Sequence, residues 1–260
     1  MRRPFSLSIF CALACAGAGF AHASDDLTVV SNVTTNGKPA GTQTQYISSD
    51  HIRSSHPSGT EIIINLKTGV MTNINDSKKT YYDVTKQDLE NMQAKMNEKM
   101  NDPKMKQAMA AMQGMSSSMA AAAEVKKTGV TRKVAGFACE EWIITMSAMM
   151  TMTECVTNDI KYPVQSWTAL MEFNESMRKT MSGFGPAAKS GADLAEKMKS
   201  IHGFPVATST VIDAGVTKMT NTSEVTEVRH TPIPESTWQV PAGFTKVDNP
   251  MAKAFQDHSR

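Results

Sequence analysis

The chain has 260 residues, of which 27 are basic and 25 acidic. That near balance, with no basic stripe, lacks the electrostatic footprint of a nucleic-acid binder. The length suits one large β-rich domain or two small ones, and beyond residue 23 no apolar run approaches the roughly 20 residues of a membrane-spanning helix.

At the start of the chain, Arg2 and Arg3 precede the apolar run Phe5 to Phe20 and the triplet Ala21-His22-Ala23. This order reads as a cleavable secretory signal over residues 1–23. A mature chain beginning at Ser24 keeps 237 of the 260 residues and loses two arginines and no acid, leaving 25 charges of each sign. Export implies a periplasmic or secreted protein, in a compartment where thiols are oxidised. Two other readings use the same segment: Ala12-Leu13-Ala14-Cys15 resembles a degenerate lipobox that would tether the protein to a membrane through Cys15, and Arg2-Arg3-Pro4-Phe5 resembles a twin-arginine start.

From Leu27 to Asp83 apolar and polar residues alternate between turn signals at 36–39, 57–59, 67–69 and 75–77. The expected strands are Leu27 to Thr34, Thr42 to Ile47, His51 to Ser54, Thr60 to Asn65, Val70 to Ile74 and Thr80 to Val84, as an antiparallel meander. At Thr85 the period changes. Thr85 with Asp88 resembles a capping box, and Leu89, Met92, Met96 and Met100 follow at helical spacing. Asn101-Asp102-Pro103 ends that helix and starts a second, with Met105, Met109, Met112, Met115 and Met119 on one face.

Strand signals return at Thr128 to Val134, Cys139 to Met146 and Met152 to Thr157. Once the signal is removed, Cys139 and Cys155 are the only cysteines. They lie on neighbouring strands of one hairpin and enclose fifteen residues, too far apart for a C-x-x-C redox or metal pair. A disulfide there stabilises the fold by roughly 3 kcal/mol. Further helices are expected over Trp167 to Met181 and Ser190 to Ile201, then a last hairpin of Val206 to Asp213 and Val216 to Val228. Residues 251–260 read as a disordered tail. The order defines a single α+β domain over 24–250, with helical insertions at about 86–122 and 167–202.

Three segments carry a family likeness: Lys133-Val134-Ala135-Gly136-Phe137-Ala138-Cys139-Glu140-Glu141-Trp142 followed by Cys155, then Gly203-Phe204-Pro205-Val206, then Val240-Pro241-Ala242-Gly243-Phe244. They resemble an exported bacterial family of unknown function. That family is similar in architecture to the lipoprotein-carrier folds of the LolA, LolB and LppX type. The resemblance implies a strongly curved antiparallel sheet, a half-barrel, packed against methionine-rich amphipathic helices around an apolar cavity. Independently of it, Trp142 and Trp238 read as anchors of a sheet core.

The expected mature chain has 19 methionines and only five leucines, and eight of the methionines fall between Met92 and Met119. Met in place of Leu as core filler, an adaptable apolar groove, and soft-metal capture are the three roles open to them. Met92, Met96, Met105, Met109 and Met112 are the candidate ligand-binding residues. Met149, Met150 and Met152, or Met92, Met96 and Met100, are the thioether candidates for Cu(I). His51 and His56 read as exposed loop histidines. Glu140 and Glu141 adjoin on a strand and face opposite sides, so they form no carboxylate pair. No nucleophile elbow, zinc-protease helix, phosphate loop or dinucleotide fingerprint is present, and no cofactor is implied. The expected function is therefore a non-catalytic, exported binding protein for a lipid-like or other apolar ligand or partner segment. A periplasmic copper-binding protein and a structural envelope domain without a small ligand are the alternatives.

Overall fold

The structure is a computed structural model and describes residues 25–101, 124–147, 149–163, 168–173, 175, 194, 196–213 and 215–250. Alternating polarity folds the first half into β1 (Leu27–Thr35), β2 (Lys38–Ile47), β3 (His51–His56), β4 (Thr60–Asn65), β5 (Val70–Asn75) and β6 (Thr80–Val84). The second half adds β7 (Glu124–Val134), β8 (Phe137–Ser147), β9 (Met150–Thr157), β10 (Phe204–Asp213), β11 (Lys218–Arg229) and the short β12 (Thr245–Lys246). Each lies where the alternation placed a strand except β12, whose two residues show no period. The β7–β8 turn is set by Ala135 and Gly136, both at positive φ (49° and 87°), the geometry that matches the twist of a tight hairpin.

All twelve strands join one sheet in the order β12-β6-β5-β4-β3-β2-β1-β11-β10-β9-β8-β7. Two antiparallel meanders meet where β1 pairs with β11, from Thr28 opposite Arg229 to Thr35 opposite Asn221. The β12–β6 pair is parallel, which makes the sheet mixed. This overturns the expected α+β half-barrel packed by helices. The molecule is mostly one large sheet with only 16% helix. The reason is the β1–β11 pairing: it fuses two strand groups that local sequence presents as separate, and the helices become excursions between strands.

The longest described helix, α1, runs Lys86–Asn101. Its start is fixed by a reciprocal cap. The Asp88 backbone N–H donates to Thr85 Oγ1 (3.1 Å), and the Thr85 N–H donates to Asp88 Oδ2 (2.8 Å). The expected second helix, from Asp102 onward, lies outside the described residues. Of the two later helices, residues 168–173 and 196–198 are helical.

One face of the first meander carries a row of directly opposed apolar residues, Leu27–Ile47–Ile52–Ile64–Met71–Val84. Such cross-strand pairs are the unit of sheet stabilisation. The opposite face is crossed by the segment after β11. Ile233 N–H donates to Asp26 Oδ2 (2.9 Å), the Arg53 guanidinium donates to the Thr237 carbonyl (2.7 Å), and Trp238 in a short 3₁₀ turn stacks on His51 at 5.3 Å. The segment ends as β12 against the far strand. Trp238 thus fastens a strap and is not a core anchor, and Trp142 is half-buried on β8.

The main core gathers Leu27, Val29, Ile47, Val134, Ile160, Phe204, Val206 and Val225 around the disulfide. Cys155 directly opposes Glu141, so Cys139 reaches it diagonally, at a Cα separation of 5.3 Å. Gly203 closes the approach to β10: at φ +122°, a side chain there would run into the Thr157 carbonyl and the Val156 side chain. Replacing both cysteines by alanine is expected to lower the unfolding free energy by about 3 kcal/mol. Urea unfolding of the variant and the oxidised wild type measures this, and reduction of the wild type should reproduce the loss.

Candidate functional site

The described apolar surface concentrates where the ends of the β8–β9 and β10–β11 hairpins meet. In the sheet register Met150 opposes Ile212 and Ile212 opposes Met219. Two residues along, Met152 opposes Ile144 and Ile144 opposes Val125. Strand alternation puts Met150 and Met152 on the same face. There Leu194, Met198 and Ile201, from the segment entering β10, pack against the fully buried Ile144. The strip runs outward from this cluster, and Met149 and Met219 at its margin are 37% and 40% exposed. An open depression of about 340 Å³ lies beside it, lined by Glu124, Val125, Glu196, Lys197 and Ser200. Its walls are mixed in polarity.

A second cluster, on the strap side, surrounds His51. The imidazole lies on β3 and is half-buried, which corrects the expectation of an exposed loop residue; His56, at the end of the same strand, is exposed and bonded to Ser58. His51 Nδ1 meets Asp50 Oδ1 at 2.7 Å, and Asn65 Nδ2 donates to Nε2 at 3.0 Å. Asn65 Oδ1 in turn accepts the backbone N–H groups of Lys67 and Thr68 (3.1 and 2.9 Å), which fixes the amide orientation and hence the Nδ1–H tautomer. Ser48 Oγ donates to Asp50 Oδ1 (3.2 Å), not to the imidazole. Serine, histidine and aspartate are therefore adjacent without nucleophile–base geometry, and the cluster clasps the β2–β3 turn to the strap. The hydrogen bond from Lys67 (2.6 Å), with help from His51, holds the Asp50 carboxyl at about 2 against an ordinary 3.8.

The sequence candidates distribute unevenly. Met92 is buried on α1. Met96 is on the same helix, its side chain outside the described residues, and Met105, Met109 and Met112 lie wholly outside them. The structure brings Met149, Met150 and Met152 to the apolar margin, together with Met198, Ile212 and Met219, which sequence reading did not select. Met198 lies on the apolar face of the helix expected over Ser190 to Ile201, whereas nothing local marks Ile212 and Met219. The three join the strip only through strand register and one short helical segment. Glu140 and Glu141 alternate as expected, Glu140 pairing with Lys127 at 2.6 Å. Among the described residues no group of three His, Cys, Asp or Glu side chains is placed to hold a metal ion, and no helix is long and apolar enough to cross a membrane.

A sheet-dominated domain with an apolar margin is the class these features define. The chain belongs to the DUF4412 family, a domain of unknown function, which matches residues 33–244. An uncharacterised family is thus confirmed, whereas the lipoprotein-carrier architecture is not. No curated protein matches the chain. A solved structure of PNGF-II in space group C2 is similar at 11% identity and a TM-score of 0.39, over 90% of this chain and 33% of that one. The chain spans about a third of that structure's length, and a likeness this loose defines neither fold nor activity.

The Asp50 clasp makes a pH-dependent contribution to stability. Its carboxyl is depressed in the folded state, so the stabilisation is full above pH 3.8 and disappears as pH falls through about 2. Asp50→Asn is expected to cost about 1–2 kcal/mol near neutrality, allowing for the exposure of Lys67. Denaturant unfolding of both proteins across that pH range should show the two curves converging at the acid end.

Proposed function

We propose that the protein is exported and serves, without catalysis, as a binding protein for a lipid-like or other apolar ligand or partner segment. The observation that carries this reading is the continuous strip from the Ile144–Leu194 cluster through Met152 and Met150 to Ile212 and the exposed Met219. Unbranched thioether side chains repack around varied apolar shapes at little cost, and an apolar strip open at one end suits a ligand that must enter from water. The signal-like residues 1–23, which lie outside the described residues, support export to the periplasm or beyond; Cys15 would make the alternative a membrane-tethered form.

The same methionines support a second reading. Met149, Met150 and Met152 fall within four consecutive positions at the start of β9, and soft thioethers select Cu(I).

Native mass spectrometry of the mature protein, followed by titration with an apolar fluorescent probe and with Cu(I), separates these readings. The expected result is saturable probe binding, weakened about tenfold by the double change Met150→Ser and Met219→Ser, in line with the transfer free energy of two partly buried methionines. A thermal melt of the variant checks that it folds. Absence of probe binding with Cu(I) binding tighter than micromolar would favour the copper reading. Absence of both would leave a structural envelope domain.

A further inference from the structure

Glu154 interrupts the apolar pattern of its strand. Met150, Met152 and Glu154 alternate onto one face of β9, and Glu154 lies directly between Trp142 on β8 and Thr208 on β10. Opposed side chains on neighbouring antiparallel strands start roughly 5 Å apart. The carboxyl is therefore flanked by an indole and a hydroxyl, one alternation from Met152. Burial pushes it above the usual carboxylate range, and no hydrogen bond or counter-charge among the described residues offsets that. Tyr162 is close enough that, after burial, the Glu154 charge helps push its hydroxyl up to about 12. The cation nearest in register is engaged elsewhere: Lys127 pairs with Glu140, its Nζ 5.9 Å from the centre of the Trp142 ring. A half-buried carboxyl with no partner among the described residues costs folding free energy unless a ligand supplies one. Such a departure from local consistency is what a binding site shows.

We propose that Glu154 is the polar anchor of the apolar strip, a carboxylate subsite for the amine head group of an amphipathic ligand whose chain lies along Met152 and Met150. This rests on the apolar-ligand reading and names its ligand class. An ammonium at Glu154 forms charge-assisted hydrogen bonds with a carboxylate that no described donor occupies, and the neighbouring indole favours a cation. From Glu154 to Met150 the strand advances roughly 13 Å, a distance that an extended alkyl chain covers from the anchor to the open margin. A carboxylate head group would meet repulsion at the same point, and an alcohol neither repulsion nor charge.

The test uses three probes of equal chain length, dodecylamine, dodecanol and dodecanoate, titrated as monomers near neutral pH into the mature wild type and Glu154→Gln. Wild type should bind the amine at least about tenfold more tightly than the carboxylate. Glu154→Gln should erase that preference and leave dodecanol unchanged. Glu154→Leu, which removes the buried carboxyl and keeps an apolar side chain in its place, must lose the preference as well. Equal affinities in wild type, or a preference that survives in both variants, overturn the role of Glu154 while the apolar reading stands. Failure of all three probes to bind wild type overturns both.

Discussion

The pairing of β1 with β11 is the constraint on which the rest depends. It joins residues nearly two hundred positions apart, for example Thr34 Oγ1 and Thr222 Oγ1 at 2.6 Å. It also covers the inner edge of both meanders at once. Without it each group of strands would present a long unpaired edge, and Val29 and Ser31 would lose Val228 and Val225 opposite them. The loop-closure entropy of such a contact grows only slowly with separation, so it costs little in stability. Its cost is in time, because pairings this distant in sequence form late.

From that junction the two faces acquire different tasks. On one, the row from Leu27 to Val84 and the Ile144–Leu194 cluster supply apolar surface. On the other, the strap from β11 to β12 crosses the first meander, held by Arg53, His51 and Asp26. Arg53 is central there: its guanidinium pairs with Glu61 and also reaches the strap carbonyls. Both charges of that pair are largely buried, so they stabilise the fold only as a complete set, each needing all its partners. The proposed ligand strip lies at the end of the sheet away from this strap, where hairpin tips leave methionines open to water.

Much of the strand pattern was legible because its signals are local. Alternation located the strands, Ala135-Gly136 set a tight hairpin, and Thr85 with Asp88 started α1. The cysteine pair was readable from its separation and from the oxidising compartment that the signal-like start implies. What local sequence could not show was which strands become neighbours. Two meanders separated by helical stretches have the same period whether they form one sheet or two layers, and the α+β expectation followed from that ambiguity. The site shares the difficulty. Met150 and Met152 were visible as part of a methionine run, but Ile212 and Met219 became their companions only through the β9–β10–β11 register. Glu154 had no signal, since a glutamate in an alternating strand reads as an outward residue until the burial around it is known. The setting of His51 is hidden from local sequence for a related reason: Asp50 and Asn65 hold it only once the β2–β3 turn and the β3–β4 ladder have formed.

At the far end of the sheet β7 has a partner on one side only among the described residues, an edge eleven residues long. Its exposed side chains include Lys126, Lys127, Arg132 and Lys133, and its ladder to β8 slips between Lys127 and Thr131, around Gly129. Charge and bulge are the two devices by which natural sheets discourage another strand from adding on. Two copies meeting antiparallel about the middle of β7 would set Lys126 against Arg132, a like-charge contact that their own pairing with Glu124 and Glu224 reduces without removing. That protection weakens as salt screens the cations. The colloidal behaviour of the protein is thereby linked to the ionic strength of its surroundings, through a strand that takes no part in the strip.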